Sequence, residues 1–250
     1  MPAGGGLPAV EARGVGVSFG ALRALSDVSI AVHRGSVHGL IGPNGSGKST
    51  LLHALAGKRI PDSGQILANG LDITRASPAK RSRLGLSIKF QLARVYPQLT
   101  VADNLLVALQ AHTPLRRLLM SRTRCSLTSQ IESRLDAVGL SGRGGQAAKL
   151  LSHGQQQWLE IAMACALEPA VLLLDEPTAG MSPQERRVTG EIIRLASRYA
   201  GVLIVDHDLD FIKDLCTHLT VRAHGAVVAT GTPAEIEADP VVQEVFLTRV

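Results

Sequence analysis

Nine consecutive residues carry the strongest chemical signal in this chain: Gly42-Pro43-Asn44-Gly45-Ser46-Gly47-Lys48-Ser49-Thr50. They fit G-x-x-x-x-G-K-[ST] throughout. Glycines let backbone N–H groups turn inward around phosphate oxygens, and a helix beginning at Lys48 adds its positive end. Lys48 is placed to reach the β- and γ-phosphates of a nucleotide, and the Ser49 hydroxyl to ligate Mg²⁺. A second signal is Leu172-Leu173-Leu174-Asp175-Glu176. A buried strand delivers Asp175 to its carboxyl end, where ligands sit in open α/β sheets. Asp175 can hold the hydration shell of Mg²⁺, and Glu176 can polarise an attacking water as general base. The third is Leu151-Ser152-His153-Gly154-Gln155, before a long helical pattern. Ser152 and Gly154 at a helix start form a second anion-binding geometry, although a plain N-cap is the simpler account of the same residues.

Strands and helices must hold these groups in place. Val28–Val32 and Val37–Ile41 read as strands on either side of a turn at Arg34–Gly35. The Gly-rich turn then leads into a helix over Lys48–Ala56, closed by Gly57. Gln65–Ala68 reads as a short strand before an Asn69–Gly70 turn. From about 78 to 143 apolar residues fall at helical spacing (Val101, Leu105, Leu109), Arg is frequent and strand signals are sparse, so this stretch reads as a helical insert. A helix over 155–168 and the doubly buried strand Val171–Leu174 follow. Helix 183–199, strand Val202–Val205, helix 208–216 and strand Leu219–Val221 complete an alternation that implies a parallel sheet with crossover helices.

Composition narrows the reading. At 250 residues and 45% hydrophobic, the chain can build a real core in one large domain or two small lobes. Only seven residues are aromatic (Phe 4, Tyr 2, Trp 1), too few for an aromatic nucleic-acid platform. No run of 18 apolar residues predicts a membrane span, and the first residues do not read as a signal peptide. Cys125, Cys165 and Cys216 lack paired spacing and read as reduced thiols of a cytosolic protein, mostly buried. Trp158 and Met163 read as packing residues, and no histidine is assigned to a metal.

The motifs together resemble the ATP-binding subunit of ABC transporters, over residues 9 to 249. LSHGQ is similar to that family's signature, normally LSGGQ; Gly42–Thr50 matches its phosphate loop and LLLDEP its second nucleotide motif. Gln91 in KFQ matches the glutamine that links nucleotide, metal and helical lobe, His207 in VDHD the switch histidine, and Phe19 in SFG the aromatic that stacks on adenine. The resemblance implies an α/β fold. Its parts are a P-loop NTPase core with a parallel sheet, an N-terminal antiparallel β subdomain, and an α-helical insert carrying the signature. It divides the chain into a core over 9–77 and 156–249 and a helical subdomain over about 78–155. It also implies Mg-ATP as cofactor and two subunits that sandwich two ATP molecules. Ser152, Gly154 and Gln155 would then face the γ-phosphate bound to the partner. Glu176, His207 and Gln91 form the implied catalytic set, and Ser49, Gln91 and Asp175 the metal set.

Implied partners are transmembrane permease subunits, a second and different ATP-binding chain, and indirectly a solute receptor, with no nucleic acid. The implied location is the cytoplasmic face of the membrane. LSHGQQQWLEIAMACALEP, the AGM after DEPT and GTPAEIEADPVVQEVFL look like the branch that takes up branched-chain amino acids and urea or short amides. An exporter ATPase of the lipopolysaccharide type is the alternative, and a soluble non-transport ATPase a further one. Two positions depart from the pattern: His153 replaces a glycine, and Ser182 stands where many members carry Asp. Net charge is +5 overall, yet residues 78–143 alone carry +8 and the remainder −3. The excess, including Arg116, Arg117, Arg122 and Arg124, is expected to serve docking near anionic lipid.

Overall fold

The computed structural model describes residues 6–89, 95–114 and 123–247, with the side chains of 123–126 and 246–247 excepted. Two sheets are present among them. β1 (Val10–Phe19), β2 (Leu22–Val32), β4 (Ser63–Ala68) and β5 (Leu71–Asp72) form an antiparallel sheet in the order β2-β1-β4-β5. Asn69 and Gly70, both left-handed (φ 46° and 81°), make the tight turn between β4 and β5. The second sheet has the order β10-β9-β3-β8-β7-β6. It consists of β3 (Val37–Ile41), β6 (Leu86–Lys89), β7 (Val171–Asp175), β8 (Gly201–Val205), β9 (His218–Ala223) and β10 (Ala226–Gly231). All its neighbours pair in parallel except β9 and β10.

Every residue of β3, β7 and β8 is buried, as expected of strands covered on both faces. Their side chains divide with period two. Leu172, Leu174, Val202 and Ile204 enter one core with Trp158, Ile192 and Ile193. Leu173, Leu203, Val205 and Leu40 enter the other with β1, β2 and α1 (Lys48–Leu55). The turn at Arg34–Gly35 therefore makes no hairpin: β2 pairs with β1, while β3 passes between β8 and β9 in the other sheet.

Among the described residues the other α-helices are α2 (Pro78–Arg83), α3 (Val101–Leu109), α4 (Thr123–Ala137), α5 (His153–Cys165), α6 (Pro183–Ser197), α7 (Leu209–Leu215), α8 (Pro233–Ala238) and α9 (Pro240–Leu247). Val101 and Leu105 of α3 and Ile131 and Leu135 of α4 pack in the same core as Trp158, Leu159 and Ala162 of α5. The insert and the sheet thus share one interior.

One element departs from the sequence reading. β6 lies inside the span taken as helical, and it pairs in parallel with β7 at the sheet edge. Leu86-Ser87-Ile88-Lys89 is short and ends in a lysine, so it carries little strand signal. Lys89 is buried because it meets Glu160 of α5, with Nζ 3.6 Å from Oε2. Arg81 of α2 is buried as well, so two of the insert's basic residues are internal. Arg116, Arg117 and Arg122, and the side chain of Arg124, lie outside the described residues.

Candidate functional site

β3 runs straight into the Gly-rich loop, and α1 begins at Lys48. Gly42, Gly45 and Gly47 all have positive φ (145°, 79° and 89°). Side chains at two of them would also collide: a Cβ on Gly42 meets the carbonyl of Arg222, and one on Gly47 the carbonyl of Ala24. Glycine is thus required at these two positions by the surroundings as well as by the backbone angles. Gly47 caps α1 with no side-chain hydrogen bond. The Ser46 Oγ is buried and has no hydrogen-bond partner among the described residues. Lys48 Nζ donates to the Gly42 and Pro43 carbonyls at 2.7 and 3.0 Å and so spans the loop mouth.

A cavity of about 660 Å³ opens over this loop. It brings together Phe19, Asn44, Lys48, Ser49, Thr50 and Glu176. Phe19 ends β1 and is half exposed, with the Arg59 guanidinium 5.1 Å from its ring centre. The volume is of the size that holds a nucleotide-scale ligand.

The acids come from strand ends. Asp175 closes β7 and is buried. Burial pushes its carboxyl up, Glu176 beside it adds to the effect, and Lys89 and Lys48 pull the other way. A carboxyl in that setting gains from a dication, and with the Ser49 hydroxyl it offers hard oxygen ligands suited to Mg²⁺. Glu176 sits in the left-handed region (φ 45°), and its N–H donates to the Val205 carbonyl at 2.7 Å. A non-glycine residue in that region is held there by its surroundings.

His207 follows β8 and is largely exposed, with Nδ1 3.6 Å from Asp206 Oδ1. Asp206 itself is buried and accepts from the Thr178 hydroxyl at 2.6 Å and from the His207 N–H at 2.8 Å. It therefore ties the turn after β7 to the turn after β8.

The signature residues stand elsewhere, outside the cavity lining. Ser152 caps α5: its Oγ accepts from the Gln155 N–H at 3.2 Å while Gln155 Oε1 accepts from the Ser152 N–H at 3.1 Å. The same Oγ donates to Glu185 Oε1 at 3.2 Å. Glu185 Oε2 accepts from the Ser182 N–H and hydroxyl at 2.9 and 2.8 Å. Those two donors, more than Ser152, hold the Glu185 carboxyl below its usual range. A Cβ on Gly154 would collide with the Glu185 carboxylate. The His153 ring leans over Gly180, where an added Cβ would lie 3.5 Å from Cε1. Ser182, the second departure from the family pattern, caps α6.

Gln91 lies outside the described residues. Four residues escaped the sequence reading: Lys89, Asp206, Glu185 and Arg222. Asp206 was recoverable, because an acid directly follows the apolar run of β8 as one follows that of β7. Glu185 was recoverable from Ser182-x-x-Glu185, a capping-box pattern. Lys89 and Arg222 show only as lone basic residues inside apolar runs.

Phosphate loop, paired acids at a strand end and a parallel sheet define a P-loop nucleotide-binding cassette. The family model described as ABC transporter matches residues 25–179, and the chain belongs to that family, as an ATP-binding subunit. It is 33% identical to the high-affinity branched-chain amino acid transport ATP-binding protein BraF of Pseudomonas aeruginosa, covering 96% of this chain and 98% of the relative. It is 38% identical to the sulfate/thiosulfate import ATP-binding protein CysA 2 of Chromobacterium violaceum, covering 89% of this chain but 58% of the relative. Against the ribose import ATP-binding protein RbsA 1 of Streptomyces coelicolor, identity is 35% and the chain spans 44% of that length. The fold superimposes on the ADP conformation of MJ1267, an ATP-binding cassette of an ABC transporter, with TM-score 0.84, 29% identity, and coverage of 96% of this chain and 99% of that one.

Proposed function

We propose that the chain hydrolyses ATP to power import of a small solute, of the branched-chain amino acid or urea and short-amide class. The cavity that gathers Phe19, the phosphate loop and Glu176 carries the hydrolytic part. In this reading Phe19 stacks on the adenine, and the loop N–H groups, Lys48 and the Ser46 hydroxyl receive the phosphates. Lys48 exchanges its two loop carbonyls for phosphate oxygens. Glu176 accepts a proton from water as the water oxygen bonds to the γ-phosphorus, and the bond to the β–γ bridging oxygen breaks. His207, held beside Asp206, would approach the γ-phosphate, and Gln91 would complete the set. Ser49, Gln91 and Asp175 would hold Mg²⁺, which would supply positive charge against the phosphates.

Ser152, Gly154 and Gln155 would meet the ATP of a second ATP-binding chain, closing a sandwich that ADP does not favour. Permease subunits and the cytoplasmic membrane face follow from the same reading. No described helix is long and apolar enough to cross a membrane. End-to-end correspondence with BraF, against partial overlap with the sulfate and ribose proteins, supports the amino acid branch. A tagged chain recovered from membranes tests it: permease subunits should co-purify, and their solute receptor should bind branched-chain amino acids or urea. Recovery with a lipopolysaccharide exporter, or with ribosomes, would replace the proposal.

A further inference from the structure

We propose that Arg222 is a positioning residue for phosphate binding, a buried guanidinium that adds a fixed positive charge directly behind the phosphate loop. The inference rests on the reading of Gly42–Thr50 as a nucleotide-phosphate site. Arg222 lies in β9 and is fully buried. Its Nη1 donates to the Gly47 carbonyl at 3.2 Å, and its Nη2 to the Gly225 and Ala24 carbonyls at 2.8 and 3.4 Å. No carboxylate pairs with it among the described residues, and burial alone lowers its pKa, to about 10. It therefore stays cationic at neutral pH, solvated only by backbone.

A second buried arginine shows why this is unusual. Arg81 sits at the other end of α1 and donates to the Ala54 and Leu55 carbonyls at 2.6 and 2.7 Å. There the negative end of the helix offsets the charge. Arg222 sits at the positive end, with Nη1 on the Gly47 carbonyl, so its charge adds to what is already there. A buried cation in that place is costly unless an anion answers it. The open start of α1, with no side-chain cap, is where an anion would do so. A nucleotide di- or triphosphate supplies more of that charge than a monophosphate. The three carbonyls also brace the phosphate loop against β2 (Ala24) and the β9–β10 turn (Gly225), both of which line the cavity.

The test separates charge from bracing, using calorimetric binding of Mg-ATP and of AMP to the full chain. Arg222→Lys keeps the charge and loses the fork; Arg222→Gln keeps a donor and loses the charge. The expected result is ATP affinity within about threefold of the parent for Lys and about tenfold weaker for Gln, with a smaller loss for AMP. Equal ATP affinity of the two variants, whether both weak or both unchanged, overturns the proposal. Melting curves establish folding first. If Gln unfolds the strand, Arg222→Met fills the volume without a charge and is compared with Lys in the same way. Lys48→Ala guards the underlying reading. Undiminished ATP binding in that variant removes the phosphate site itself, whereas lost binding together with equal Lys and Gln variants removes only the role of Arg222.

Discussion

The starts of α1 and α5 look alike in sequence and behave differently in the fold. Each has a serine and a glycine at its first positions, Ser46 and Gly47 before α1 and Ser152 and Gly154 around the start of α5, and each reads as a place for an anion. At α1 the cap is Gly47, no side chain closes the helix, and the Ser46 hydroxyl is buried without a partner among the described residues. At α5 the chain satisfies itself: Ser152 and Gln155 form a capping box, and Ser152 also donates to Glu185. At the first end the serine hydroxyl is unpaired among the described residues, and at the second the serine is paired. Under the sandwich reading, the α5 end must turn Ser152 away from Glu185 before it can meet a phosphate. On that same reading the first end is ready in a single chain, and the second would be completed by assembly.

The largest effect should come from the end that is ready. Glu176→Gln removes the proposed base without removing a phosphate contact. Hydrolysis should fall by roughly 10²- to 10⁴-fold while ATP still binds. Turnover at the parental rate would dismiss Glu176 as base, and lost ATP binding would show that its strained backbone shapes the cavity instead.

The paired end makes a prediction of intermediate size. Gly154→Ala puts a methyl against the Glu185 carboxylate, the end of a flexible side chain that can swing aside, so the cost should be that of its hydrogen bonds to Ser152 and Ser182, about 1 kcal/mol of stability. In a Glu185→Ala background the same substitution should cost almost nothing. A double-mutant cycle in chemical denaturation reads this coupling directly. Additive costs would mean that Glu185 is not what demands the glycine. If stability recovers in the double variant and ATPase activity does not, Gly154 also serves an approach from outside the chain.

The sequence revealed most where the signal is local. The phosphate loop, the doubly buried strands at Val171–Asp175 and Gly201–Val205, and the Asn69–Gly70 turn each follow from a few neighbouring residues. β6 was missed because four residues ending in a lysine look like a strand only once Glu160 and β7 are beside them. The destination of β3 was equally hidden, since pairing partners are a property of the sheet rather than of the turn before it. Arg222 bonds to Gly47 across 175 residues, and no pattern within either segment announces it. Ser152 illustrates the middle case. Its helix-capping role was legible from its place before a helical pattern, while its attachment to Glu185, 33 residues away, was not.

The finest contrast lies between two serines. Ser152 accepts a backbone hydrogen bond at a helix start, so Ser152→Ala should lower stability by about 1 kcal/mol, the usual worth of an N-cap. Ser46 makes no hydrogen bond among the described residues although its Oγ is buried. Ser46→Ala removes an unsatisfied polar atom and should leave stability equal or slightly higher. Its cost should appear in ATP affinity, by a few-fold, if the hydroxyl is kept for phosphate. Ser152→Ala should leave ATP binding to the isolated chain unaltered, because its partner there is Glu185. Melting and binding measured on the same two proteins give four numbers with an expected crossed pattern. Stability lost at Ser46 and affinity lost at Ser152 would reverse the assignment of the two helix ends, since each serine would then be doing the work ascribed to the other.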